Sequence, residues 1–170
     1  QLRDVKDAVQ RLIDGGGRLN GTLDAPTVRT ADGDAQVDGG AFMSPVILTF
    51  DDPDSDAVHT VEAFGPVTSV LGYADLDDAV RLAAKGSGSL AATVCTNDPE
   101  VARRLVTGIA AHHGRVLTLN REDAKTSTGH GSPMPHLIHG GPGRAGGGEE
   151  LGGVSAIKHH MQRTAVQGSP

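Results

Sequence analysis

Between Val67 and Leu119, three short apolar runs alternate with two stretches of helical period, and this alternation constrains the fold more than any other feature. Val67 to Tyr73 is apolar and β-branched, which predicts a strand. Asp75, with Asp78 three residues on, predicts a capped helix start, and Leu76, Ala79, Val80, Leu82 and Ala83 supply the stripe. Gly86 and Gly88 close that helix. Leu90 to Thr96 is a second strand-length run. Asp98-Pro99 predicts another helix start, a cap followed by Pro at the first helical position, with Val101, Ala102, Leu105, Val106 and Ile109 as its apolar face. Val116 to Leu119 is the third strand. Strand, helix, strand, helix, strand at these spacings predicts a βαβαβ unit with parallel strands and right-handed crossovers. The strands are nearly continuously apolar, as expected where helices cover both faces. The expected class is α/β, with an open, mostly parallel sheet carrying helices on both faces.

The flanks are less regular. Val5, Ala8, Val9, Leu12 and Ile13 predict a helix over 4–14, stopped by Gly15-Gly16-Gly17. Residues 21–40 are rich in Asp, Gly and Thr without a period and read as a loop. Val46 to Phe50 reads as a strand, and Asp51 to Asp56 as an acidic turn. From Asn120 to Gly148 the pattern stops, and a patternless stretch this long is usually functional or disordered. Glu149 to about His160 reads as a final helix, and Thr164 to Val166 as a terminal strand.

Composition limits the function classes. Gly accounts for 24 of 170 residues, and there are only three Phe, one Tyr and no Trp. The core must therefore be aliphatic. A net charge of −6 offers no basic face for phosphates, and stacking on bases would need aromatics the chain lacks, so no nucleic-acid partner is expected. No run approaches the ~18 apolar residues of a membrane span. The single Cys excludes an internal disulfide framework and suits a reducing cytoplasm. A first residue of Gln and an ending of Gln167-Gly168-Ser169-Pro170 suggest a piece of a longer polypeptide.

Several residues invite chemistry. Cys95 lies in an apolar strand, where Cys is usually a small inert hydrophobe. Exposure together with a cationic neighbour would make it a nucleophile candidate, but Asp98 lies nearby instead. The eight His include His112-His113, His130, His136, His139 and His159-His160, and none forms a helical ligand pair of metal-site spacing. Gly140 to Gly148 is rich enough in Gly to cradle an anion before a helix, or simply to make a tight, closely packed turn. Glu62-Ala63-Phe64-Gly65-Pro66-Val67 places a carboxylate and a ring at the mouth of a strand. Such a pair can grip hydroxyls and stack on a flat group. Its plainer reading is a strand-initiating turn with a core Phe.

That hexapeptide resembles the Glu-x-Phe-Gly-Pro signature of NAD(P)-dependent aldehyde dehydrogenases. Ser127-Thr128-Gly129-His130-Gly131-Ser132-Pro133, His139 to Gly153 and the ending from His160 resemble, more narrowly, the aldehyde dehydrogenase part of the bifunctional ring-opening enzymes of phenylacetate degradation. The resemblance implies that residues 1–160 are the C-terminal part of a catalytic domain and that 161–170 begin an association arm. It implies NADP or NAD as cofactor, with NADP favoured by analogy, and a CoA-linked semialdehyde as substrate. It implies a homo-oligomer for the full-length enzyme. By the same resemblance Glu62 would hydrogen-bond the nicotinamide ribose, Phe64 would lie against the nicotinamide, and Thr128, His130 and Ser132 would lie near the substrate. The family's nucleophilic Cys and general-base Glu precede the Glu-x-Phe-Gly-Pro segment, so Cys95 is not that nucleophile and no catalytic residue is assigned within 1–170. The implied chemistry is a thiolate adduct of the aldehyde, loss of hydride, and hydrolysis of the resulting thioester. Three other readings stay open: a related semialdehyde dehydrogenase of aerobic benzoate breakdown, a non-catalytic CoA- or phosphate-binding or assembly module, and a His-based metal protein.

Overall fold

The computed structural model describes residues 1–36, 41–127, 129–130, 140–145, 154 and 157. The chain forms two compact units, Gln1–Asp78 and Ala79–Pro170.

The first unit opens with helix α1 (Leu2–Asp14), which buries Val5, Ala8, Val9 and Leu12. The spacing i, i+3, i+4, i+7 puts all four on one stripe. The helix stops as its glycines predict. Gly17 N donates to Leu12 O and Gly16 N to Ile13 O, each at 2.9 Å, with Gly16 at a φ of +100°. This is the Schellman pattern, and its left-handed position suits Gly. Strands β1 (Arg18–Asn20), β2 (Thr27–Thr30), β3 (Gly33–Gln36) and β4 (Val46–Phe50) follow. After a short helix α2 (Asp56–Thr60), β5 (Val67–Leu71) lies parallel to β4, while β1 pairs antiparallel on β4's other edge. Val46, Leu48 and Phe50 alternate inward from β4 and pack with Val9 and Leu12 into the core.

The stretch 21–40 departs from the expected loop. Thr27 to Gln36 is an antiparallel hairpin in which Thr30 pairs with Gly33, and Gly33 has a φ of +120°. The Asp32-Gly33 step is itself a hairpin signal. The strand β1 was also unforeseen, because three residues are too few to show a period.

In the second unit, helix α3 (Leu76–Ala84), which begins in the first, leads into β6 (Ser89–Cys95). Asp78 N donates to Asp75 Oδ1 and Ala74 N to Asp78 Oδ2, both at 2.9 Å, so Asp75 caps the helix start and Asp78 reaches back to the residue before the cap. Helix α4 (Pro99–Ile109) begins at Asp98, whose Oδ1 accepts from Glu100 N at 2.8 Å and Val101 N at 3.3 Å. A Cβ on Gly108 would stand 2.6 Å from Val80 Cγ2, so the missing side chain lets α3 and α4 meet. Strand β7 (His113–Leu119) then pairs parallel with β6.

The strand–helix order is therefore as read, and the α/β class with parallel strand pairs holds. Two particulars differ from the expectation. The ladder partner of β5 is β4, and β6 pairs with β7. Exposure alternates along β4 and β5, so that Ile47 and Val70 are each almost half exposed. The final helix and terminal strand fall mostly outside the described residues, of which Val154 and Ile157 are helical and exposed.

Candidate functional site

The turn that carries Glu62 and Phe64 is built by short-range hydrogen bonds. Ser55 Oγ donates to Gly15 O at 2.7 Å, which fixes the entry to α2 against the end of α1. Val61 N then closes on Ala57 O and the backbone becomes extended at Val61. Gly65 N donates to Ala63 O at 2.9 Å and Val67 N to Gly65 O at 2.7 Å. These are two successive three-residue turns, centred on Phe64 and Pro66, and the fixed φ of Pro suits the second. Pro66 O accepts from Val46 N at 3.0 Å, which joins the turn to the start of the β4–β5 pair.

Phe64, at the centre of the first turn, is 76% exposed. Three of the four aromatic residues of the chain, Phe42, Phe64 and Tyr73, are exposed, and only Phe50 is in the core. The core-Phe reading of this motif is thereby set aside. Phe64 lines a cavity of about 140 Å³ together with Gln1, Leu2, Val5, Ala41, Met43, Gly65 and Pro66. Gly65 is part of the design, since a Cβ there would stand 2.7 Å from Val5 Cγ1 of α1. Glu62 is exposed, and among the described residues its carboxylate has neither a hydrogen-bond donor nor a cation beside it. The site thus offers an unpaired acceptor two residues from a bare ring. That set can take hydroxyl donors and a flat apolar group, the two features of a nicotinamide nucleoside. Local pattern pointed to Glu62 and Phe64. It missed Leu2, Val5 and Met43, which reach the cavity only through tertiary packing.

The other sequence candidates lie elsewhere. His130 is half-buried against β6, with Nε2 at 3.0 Å from both Ala92 O and Thr93 Oγ1. Thr128 and Ser132 lie outside the described residues. Cys95 is exposed at the last position of β6, opposite Leu119, rather than buried. It shares the outward alternation of Thr93 on that strand. The Gly-rich stretch is a packed turn where it is described. A Cβ on Gly88 would overlap Pro142 O, and one on Gly143 would overlap Ser87 O. Among the described residues no three His, Cys, Asp or Glu side chains converge on a metal position, and His136, His139, His159 and His160 lie outside them. Also among the described residues, no helix is long and apolar enough to cross a membrane.

The profile described as "Aldehyde dehydrogenase family" matches residues 6–166. A protein named MaoC from Klebsiella aerogenes is 49% identical over 173 residues, spanning 100% of this chain and 48% of that protein. The 3,4-dehydroadipyl-CoA semialdehyde dehydrogenase of Aromatoleum evansii is 43% identical over 118 residues, 69% of this chain and 22% of that one. Among solved structures, an aldehyde dehydrogenase from Bacillus cereus superposes with a TM-score of 0.71 at 20% identity, covering 95% of this chain and 28% of that one. A betaine aldehyde dehydrogenase from Staphylococcus aureus, solved with NAD+, gives 0.69 at 21% identity, covering 93% and 28%. The chain spans about half the length of the Klebsiella relative and under a third of the others.

Proposed function

Because this chain belongs to the aldehyde dehydrogenase family, we propose that it forms the coenzyme-positioning part of an NAD(P)-dependent dehydrogenase acting on a CoA-linked semialdehyde of aromatic catabolism. The observation that carries the reading is the turn at the head of β5, where a three-quarters exposed ring lies two residues from a carboxylate with no partner among the described residues. Glu62 accepts from the ribose hydroxyls next to the nicotinamide. Phe64 backs the nicotinamide with an apolar face, and Val5 behind Gly65 keeps the turn from shifting. The coenzyme, when bound, accepts the hydride. The chain's part is placement, on which transfer depends steeply, because a misplacement of about 1 Å can lower the rate on the order of 10²-fold. The thiolate nucleophile and the base of the reaction belong to the family's segment before this motif, so no catalytic residue is assigned within 1–170.

The stretch with Thr128, His130 and Ser132 shapes the approach of the aldehyde. We favour the ring-opening branch of phenylacetate degradation, NADP as coenzyme, a cytoplasmic location and a homo-oligomeric whole enzyme. The name of the Aromatoleum relative supports the CoA-semialdehyde class and also favours a second reading, a benzoate-pathway substrate. The deciding experiment is single-turnover reduction of NAD(P)+ by the intact natural protein and its Glu62→Gln variant, with the two candidate CoA semialdehydes. Slower reduction with an undiminished covalent aldehyde adduct is the expected result. An unchanged rate of reduction removes Glu62 from this role.

A further inference from the structure

The chain that leaves β7 is fastened along β6 at three described places, and the order of the fastenings runs against the strand. Just past the C-terminal end of β6, Arg121 N donates to Asn97 Oδ1 at 2.8 Å, and Asn120 Oδ1 accepts from Glu122 N and Asp123 N, each at 2.8 Å. At the middle of the strand, His130 Nε2 meets Ala92 O and Thr93 Oγ1. Just before its N-terminal end, Arg144 N donates to Ser87 O at 3.0 Å, beside the close approach of Gly88 and Gly143. Positions 97, 93 and 87 on the strand side therefore meet 121, 130 and 144.

The middle fastening differs in kind from the other two. The outer ones engage the main chain of the returning segment, whereas the middle one is a single side chain. A backbone carbonyl can only accept, so the short distance to Ala92 O assigns the hydrogen to Nε2, and Thr93 Oγ1 shares it as a second acceptor. That N–H is divided between two acceptors on β6, so Nδ1 is the ring nitrogen left to meet any other group.

We propose that His130 is a positioning residue, whose Nε2–H pins the returning chain to Ala92 and Thr93 of β6 and which acts on the aldehyde only through that chain. The inference deepens the dehydrogenase reading and rests on it for the site served, but the pin has a readout of its own. In the intact natural protein, trypsin cleavage after Lys125, an exposed site between the first two fastenings, reports release of the chain. Thr93→Val and His130→Ala are each expected to speed that cleavage about two- to tenfold, the range of one hydrogen bond. The double variant should be no faster than His130→Ala alone. His130→Gln, which keeps an N–H, should recover part of the protection. In steady-state assays with the aldehyde, His130→Ala should raise KM and Thr93→Val, which keeps Ala92 O as an acceptor, should raise it less, each with a smaller effect on kcat than on KM. The proposal is overturned if His130→Ala raises KM while cleavage after Lys125 stays unchanged, since His130 would then touch substrate itself. Additive effects in the double variant would overturn it too. Failure of the dehydrogenase reading shows separately, as absence of NAD(P)+ reduction in the parent protein, and leaves the cleavage result to decide the pin.

Discussion

The head of β5 and the length of β6 are served by loops of opposite construction. The Glu62–Phe64 turn is short, closed by hydrogen bonds between residues two apart, and it leaves the Glu62 and Phe64 side chains bare to solvent. The chain returning along β6 is long, held by contacts reaching across 24 to 57 positions, and its described histidine is turned inward onto the strand. A short turn makes the backbone rigid, so the side chains it carries are free to bind. A long return must spend side chains on being held. Stability and ligand handling should therefore separate at the first site and stay coupled at the second.

The sharpest test of the second half of that contrast is at Gly88 and Gly143. Each new Cβ meets a carbonyl oxygen of the opposing turn, and both glycines have φ values in the left-handed region, +108° and +55°. Neither turn can yield as a flexible side chain would. Gly88→Ala and Gly143→Ala are each expected to lower unfolding free energy by about 2–3 kcal/mol or more, read by denaturant titration of the intact protein. If both variants matched the parent in stability, the fastening at that end of β6 would not be a constraint.

The complementary test is at Glu62. Its carboxylate is exposed and has no described partner, so Glu62→Gln should leave the denaturation midpoint where it is. The same change should slow NAD(P)+ reduction at least about tenfold, a loss of ~1.4 kcal/mol of transition-state stabilisation. A variant that lost stability in step with activity would erase the distinction between the two loops.

What was legible beforehand follows the range of the interaction. Asp98-Pro99 and the glycines after α1 were read correctly because a cap and a Schellman stop involve neighbours within five residues. Glu62 and Phe64 stood out for the same reason. The ladder partner of β5 was not legible, since nothing in Val67–Leu71 distinguishes β4 from β6 as a neighbour. The Val5–Gly65 contact and the His130 pin also join residues far apart in the chain. The hairpin at 27–36 is a different case. Its Asp32-Gly33 turn signal is local, but the strands beside it lack the apolar alternation that usually announces them.

A middle-sized effect calibrates these arguments. Asp98→Ala removes an acceptor from two helix N–H groups at the start of α4, one residue past Asn97, which accepts from Arg121 N. The expected cost is about 1 kcal/mol in unfolding free energy, with cleavage after Lys125 unchanged. Faster cleavage in that variant would mean that the cap of α4 and the neighbouring Asn97 fastening loosen together.

The smallest effect is expected on the outward face of the β4–β5 pair. Ile47 and Val70 are 47% and 48% exposed, and their nearest ladder partners on that face are Thr68 and Thr49. Val70→Thr keeps the β-branched shape and adds a hydroxyl that water can reach, so unfolding free energy should move by no more than about 0.5 kcal/mol. The same holds for Ile47→Thr only if that face is open to water in the intact protein. A loss of several times that size in the intact protein would show that the face is covered there, and that the open display seen at Phe64 does not extend along the sheet. A difference between the two variants would show which end of the pair the covering surface reaches.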